Sequence, residues 1–346
     1  MLVKGRSKVP PSLAGGLVAI FFLLCLSPFA ASCSRSAGSP RRVLVVGFRE
    51  GSTEEERNFL LEYGCRRIGS GLGLEAELVV PGPSGDLGVL PERESSSRWM
   101  MVSCGETPAD SLAVAVGQDR PPHLVYLDFP GASVPAAEGE AAYIRYRVEE
   151  GAYLCGFLSG RLTVSAEHPL ANRLPVVAFI GCASDPRTSR YQRGFLRGVL
   201  AAYPQASLLS YLVGGCGDEE QARTFAQEAA KKGADIIFCT PGAFHAGVLQ
   251  AAESLDLLVI LSGGDHYRES PSHVLTSLVL RDDNALFRAV DLAFRDGLEP
   301  GLREWGVREG IWSLAPFRDH DVYIRRDLKE ALAAEEAKVS GMDFAP

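Results

Sequence analysis

The sequence predicts an α/β fold made of doubly wound parallel sheets. Four short runs carry that expectation: VVAFI (Val176 to Ile180), SLLSYLV (Ser207 to Val213), ADIIF (Ala234 to Phe238) and LLVIL (Leu257 to Leu261). Each is nearly all apolar, as a strand covered on both faces should be, and each leads through a Gly- and polar-rich loop to an amphipathic helix. The chain has 346 residues, 46% of them apolar and 23% charged, which allows two such lobes. Ligands of parallel sheets sit outside the carboxyl ends of the strands, so the loops after these runs are where function is expected.

The amino terminus has to be set aside first. Lys4, Arg6 and Lys8 precede an apolar run from Leu13 to Leu26, and small residues (Ala30, Ala31, Ser32) lead to Cys33. This pattern is expected to be an export signal over residues 1–32. Small residues directly before a cysteine are the mark of a lipoprotein signal, so Cys33 is the expected lipidation site. Residues 33–41 then form the lipidated cysteine and a short flexible tether. Losing residues 1–32 takes away three cations and no acid, so the mature chain is more negative than the net −8 of the full sequence. An acidic surface with scattered basic residues disfavours nucleic acid as a partner.

Strand and helix alternate through the rest. RVLVVGF (Arg42 to Phe48) opens the first lobe, followed by a polar turn and a helix bearing Phe59, Leu60 and Tyr63. Further strands are expected at Glu77 to Val80, Trp99 to Cys104, His123 to Phe129 and Ala141 to Val148, with surface loop from Pro81 to Pro91. The helix Glu149 to Leu162 carries glycines that suit close packing on a sheet. Beyond Leu261 come the strand Ser272 to Leu280, a helix from about Asn284 to Phe294 and a charged helix from Arg325 to Lys338.

Enzyme signatures are lacking: no nucleophile elbow, phosphate loop, HExxH or paired-cysteine zinc spacing occurs, and no cofactor is expected. Gly69-Ser70-Gly71-Leu72-Gly73 only faintly suggests a dinucleotide loop, since it lacks the flanking strand and helix. The six histidines show no ligand spacing. Beyond Cys25 and Cys33 lie Cys65, Cys104, Cys155, Cys182, Cys216 and Cys239, an even set that permits disulfides without demanding them. Burial as small apolar side chains, a disulfide among Cys182, Cys216 and Cys239, and a thiolate metal site all stay open. Arg190, Arg193 and Arg197 are expected on a solvated helix face.

Six segments in order, EEGAYLCGF (Glu149 to Phe157), RYQRGFLRGV (Arg190 to Val199), YLVGGCGDEEQA (Tyr211 to Ala222), KGADIIF (Lys232 to Phe238), GVLQAA (Gly247 to Ala252) and VLTSLV (Val274 to Val279), resemble the basic membrane protein family. The resemblance spans roughly residues 120 to 345 well and residues 42 to 119 by strand order. It implies a lipid-anchored, monomeric substrate-binding component of an ABC importer, with the type I periplasmic-binding fold and a permease partner. Well-understood members bind purine nucleosides, so a nucleoside-like small molecule is the first expected ligand.

By the same resemblance Tyr191 stands where the family has its base-stacking ring. Departures are equally specific: Gly51-Ser52-Thr53-Glu54 replaces the Asp and Asn that grip the base edge, Gly263 replaces an Asp that holds the ribose hydroxyls, and Leu280 lies near the family's Lys. A buried sugar hydroxyl without its partner costs about 1 to 3 kcal/mol. Thr53, Asp110, Asp265 and His266 are the polar groups expected to substitute, and Phe244 a second stacking wall or a packing residue. Asp218 is expected to cap a helix.

The expected organisation is one lobe from residues 42–147 with 265–300 and another from 148–264 with 301–346, joined by three crossings. Function follows as solute capture between lobes by hinge closure. A surface lipoprotein that kept the fold but lost nucleoside binding, serving in adhesion or sensing, is the alternative.

Overall fold

The alternating pattern resolves into two six-stranded sheets in the computed structural model, which describes residues 42–50, 54–87, 99–105, 123–131, 141–295 and 297–344. The signal segment, Cys33 and the tether, Thr53 and Asp110 lie outside the described residues. The first sheet contains β1 (Arg42–Val46), β2 (Glu75–Val79), β3 (Trp99–Cys104), β4 (His123–Leu127), β5 (Ala141–Tyr146) and β11 (Gly301–Trp305), in the order β11-β5-β4-β3-β1-β2. Its pairings are all parallel.

The second sheet has the order β12-β10-β9-β8-β6-β7, formed by β6 (Val176–Cys182), β7 (Ser207–Val213), β8 (Ile236–Cys239), β9 (Leu258–Gly263), β10 (Val274–Leu280) and β12 (Trp312–Leu314). Only β12, the edge strand, departs from parallel pairing here, running antiparallel to β10 with Leu314 opposite Leu278.

Helices cover these sheets. The first lobe carries α1 (Asn58–Leu72) and α6 (Asp282–Phe294), which pack together. Residues 69–72 belong to α1, which ends at left-handed Gly73, so the faint glycine pattern there is a helix end. The second lobe carries α2 (Val148–Leu162), α3 (Thr188–Ala202), α4 (Glu219–Lys231), α5 (His245–Leu255) and α7 (Arg326–Val339). All of α2 but Arg161 is buried, because it lies among the sheet, α3 and α7. Its glycines meet a helix more closely than a sheet. An ideal Cβ on Gly156 would fall 2.1 Å from Phe195 O, and one on Gly198 of α3 would fall 1.9 Å from Tyr153 O.

The chain crosses between lobes three times, and two crossings differ from expectation. The first follows β5 at Arg147. The second follows β10, because β10 pairs with β9 and so holds residues 274–280 in the second lobe. The third follows β11, because β11 pairs with β5 and so holds residues 301–305 in the first. The crossings are joined to one another: Arg147 N donates to Trp305 O at 2.8 Å and Arg281 N to Ile311 O at 2.6 Å. Glu150, buried at the start of α2, accepts from Val307 N at 2.7 Å and so ties the first crossing to the third.

Candidate functional site

The facing carboxyl ends of β1, β4 and β6 meet in a cluster of charges. Arg57, immediately before α1, is fully buried and aims its fork at Asp282, with Nε to Oδ2 and Nη2 to Oδ1 both 2.6 Å. Its Nη1 donates to Asp128 at 2.8 Å and to Glu54 at 2.9 Å, and the guanidinium lies 4.3 Å from the Phe48 ring centroid. Tyr146 at the end of β5 adds a hydroxyl to Asp282 at 3.0 Å.

Arg187, just before α3, reaches this group from the second lobe. Its Nη1 donates to Asp128 at 2.5 Å and its Nη2 to Glu54 at 2.8 Å, while Asp185 beside it holds Nε and Nη2 at 3.0 Å. The two lobes are therefore bridged at the strand ends by one guanidinium on two carboxylates.

Burial alone would raise the Asp128 pKa, but Arg187 and Arg57 outweigh it and the pKa is lowered. Asp282 goes the other way, since its burial outweighs Arg57 and raises its pKa. Arg57 and Arg187 are held charged, their burial offset by the surrounding carboxylates. Four acids (Glu54, Asp128, Asp185, Asp282) face two arginines here, so the crevice is net negative among these groups.

Tyr191 lies one turn along α3 from Arg187, with no exposed surface. Its ring centroid is 6.1 Å from that of Phe238, and its hydroxyl receives a 3.5 Å hydrogen bond from Ser262 on β9. Burial raises its pKa, against the opposing charge of Arg187 and with the added effect of Asp128 and Asp185. Tyr191 thus sits beside the inter-lobe bridge. Phe244 does not join it: the ring is fully buried in a separate cluster with Ile237, Val248 and Leu249, folded against left-handed Gly242. That enclosure makes it a packing residue in this conformation.

Asp265 and His266 also serve the second lobe. Asp265 takes both arms of Arg318 at 2.6 and 3.0 Å and accepts from Tyr267 N, with Arg318 as the leading cause of its lowered pKa. His266 is buried, with Nδ1 2.6 Å from Glu269 Oε1. Gly263 is left-handed at φ 118°, and a Cβ there would fall 3.3 Å from Glu56 Oε1 of the facing lobe. Glu56 thus approaches Gly263 across the cleft.

Among the cysteines, Cys182 and Cys216 are bonded, tying the loop after β6 to that after β7, whereas Cys65, Cys104, Cys155 and Cys239 are free and buried. Asp218 caps α4 by accepting from Gln221 N. Arg190 pairs with Glu149 at 2.7 Å instead of extending into solvent. Two cavities of about 290 Å³ open elsewhere, one lined by His123, Val125 and Leu298, the other by Ser165, Tyr203 and Tyr323. Neither is lined by the bridging charges.

The charges at the crevice are the part that sequence reading missed. Asp128 is the signal that was available: a lone acid closing the apolar run HLVYL is placed at a strand end, where ligand and inter-lobe groups gather.

Residues 131–343 match the family model Bmp, described as ABC transporter substrate-binding protein PnrA-like. The chain belongs to the Bmp family. Among curated proteins, this Bmp chain is 25% identical over 196 residues to Basic membrane protein B of Borreliella afzelii (strain PKo), covering 55% of the chain and 54% of that protein. It is 26% identical over 160 residues to Basic membrane protein D of Borreliella burgdorferi (strain JD1), covering 46% and 44%. The chain spans about half the length of the curated relatives it matches.

Solved structures agree on the fold. An ABC transporter solute-binding protein from Conexibacter woesei DSM 14684 superposes with a TM-score of 0.65 at 15% identity, over 88% of this chain and 99% of that one. One from Aeropyrum pernix K1 gives 0.62 at 16%, over 87% and 92%. A transcriptional activator of the comK gene from Bacillus halodurans gives 0.65 at 18%, over 87% and 98%. The Bmp chain therefore has the type I periplasmic-binding fold, a scaffold that hosts more than one function.

Proposed function

We propose that this protein is the lipid-tethered solute-binding component of an ABC importer, and that it captures a small, planar, polar solute of the nucleoside type between its lobes. Cys33 carries the anchor in this reading, the protein faces the periplasm or exterior as a monomer, and a membrane permease receives the solute. The observation that carries the reading is the meeting of Tyr191, Ser262 and the Arg187 bridge at the strand ends between two hinged lobes. Parting Arg187 from Asp128 and Glu54 opens the crevice beside Tyr191. Solute polar groups then take over those charged partners as the lobes close again.

Calorimetry of the full chain against a panel of purine and pyrimidine nucleosides tests this. Heat that saturates at one solute per chain, and falls at least tenfold in affinity in Tyr191→Ala, supports the reading; no heat at millimolar nucleoside removes the nucleoside from it. Loss of the protein from the membrane fraction in Cys33→Ala tests the anchor.

One observation favours the second reading, a lipoprotein that kept the fold and lost nucleoside capture. The chain's own side chains satisfy one another in the crevice, with Arg187 occupying carboxylates of both lobes. If that bridge is permanent, Arg187→Ala destabilises the protein and no solute changes its melting temperature.

A further inference from the structure

A second cluster lies at the edge of the same cleft. His245 begins α5, and His266 and Glu269 flank one short 3-10 turn after β9. Residues three apart on such a turn share a face, so the two latter side chains point the same way. Glu269 holds both imidazoles: His245 Nε2 is 2.9 Å from Oε2 and His266 Nδ1 is 2.6 Å from Oε1. One ligating atom from each of the three residues lies within 4.8 Å of the others. The ring centroids of the histidines are 4.8 Å apart.

We propose that His245, His266 and Glu269 form a binding site for a divalent transition-metal ion of the zinc type. Two imidazoles and a carboxylate are a donor set for such ions and not for magnesium or calcium, which take oxygen. Ligand atoms around tetrahedral zinc stand ~3.4 Å apart, given bonds of about 2.0 to 2.2 Å, so the two Glu269 contacts lengthen by less than about 1 Å while atoms as much as 4.8 Å apart draw together by about 1.4 Å. The surroundings fit metal ligation as well. His245 Nδ1 lies 2.8 Å from Gly242 O, the outer hydrogen bond that orients a ligating imidazole with Nε2 toward the metal.

His266 supplies an independent sign. It is 6% exposed, and its Nε2 has no hydrogen-bond partner among the described residues. Burying an unpaired ring nitrogen is unfavourable, and a metal-bound neighbourhood with a carboxylate beside the ring resolves it. Glu56 of the first lobe is near this ring: its Cγ lies 3.2 Å, and His266 Nε2 3.9 Å, from where a Cβ on Gly264 would be. Glu56 also interacts electrostatically with both histidines. The Glu269 side chain keeps 41% of its surface exposed, which leaves an entry path and a fourth position open to the cleft. The metal thus sits where lobe closure brings Glu56 against it.

Titration of the full chain without an affinity tag, using Zn²⁺ in competition with a chromophoric chelator and Co²⁺ followed by visible absorption, tests the site. The expected result is a single ion per chain, with the intense cobalt bands of a four-coordinate N/O site. His245→Ala and Glu269→Gln should each weaken binding on the order of 100-fold, and Glu56→Gln about 10-fold. Melting curves in chelator confirm that each variant is folded. Absence of binding by the unmodified chain, or affinity unchanged in both His245→Ala and Glu269→Gln, overturns the proposal. Affinity unchanged in Glu56→Gln overturns the part that crosses the cleft.

Discussion

Arg57 has no exposed surface, and its fork is shared among Asp282, Asp128 and Glu54. A guanidinium cannot shed its proton to ease burial, so its removal leaves fully buried Asp282 without its ion pair and Asp128 with Arg187 as its remaining cation. Arg57→Ala is expected to cost about 3 to 5 kcal/mol in urea unfolding. Asp282→Asn is expected to cost less, because burial already raises the Asp282 pKa and a neutral side chain still accepts from Arg57.

A second residue-scale prediction concerns acid. His168 Nε2 and His320 Nδ1 are 2.9 Å apart and both rings are buried, while His320 Nε2 lies 3.0 Å from Pro271 O. Burial, then the neighbouring His320, pushes the His168 pKa down to about 4. As pH falls below about 6.5 the unfolded chain binds a proton that the folded chain refuses until about pH 4, so stability drains away across that window. The loss expected is about 1 to 3 kcal/mol. Urea midpoints at pH 7 and pH 5 should differ less in His168→Gln than in the unmodified chain; equal slopes would assign the acid sensitivity elsewhere.

Among the elements, the α2–α3 pair is the most demanding. Gly156 and Gly160 of α2, like Gly194 and Gly198 of α3, stand four residues apart on the contact face, and ideal Cβ atoms at all four would fall 1.9 to 2.9 Å from atoms of the facing helix. Gly198→Ala must push the helices apart and is expected to cost about 1 to 3 kcal/mol or more. Gly217→Ala, where a Cβ would meet nothing within 4 Å, should stay within about 0.5 kcal/mol. Thermal unfolding of the two variants side by side checks the contrast.

The elements also show what the sequence could convey. Buried parallel strands such as β6 and β9 announce themselves as unbroken apolar runs, and their helices follow from the 3.6-residue period. The edge strands β11 (GLREW) and β12 (WSL) do not. They are short and half polar, and their place is decided by pairing with β5 and β10, which no local pattern encodes. Missing β11 moved the third crossing, and placing β10 in the wrong sheet moved the second. Tyr191 was legible because it belongs to a family-like segment. Arg57, Asp128 and Asp282 were not: they are 71 or more residues apart in sequence and meet only when the first lobe folds.

At the scale of the whole molecule, three hydrogen-bonded crossings give a hinge at one side of the cleft, and the Arg187 bridge closes the strand-end crevice opposite the two sheets. In the proposed reading, a lobe pair held this way needs a solute that competes for charged partners, so affinity depends on Arg187. No described helix is long and apolar enough to cross a membrane. The crevice at Arg187 is the proposed seat of the solute. Mass spectrometry of small molecules released on denaturing freshly purified protein tests it most directly, with Arg187→Glu prepared in parallel. The account predicts one polar solute at close to one per chain from the unmodified protein and at least tenfold less from Arg187→Glu; the same background from both would contradict it.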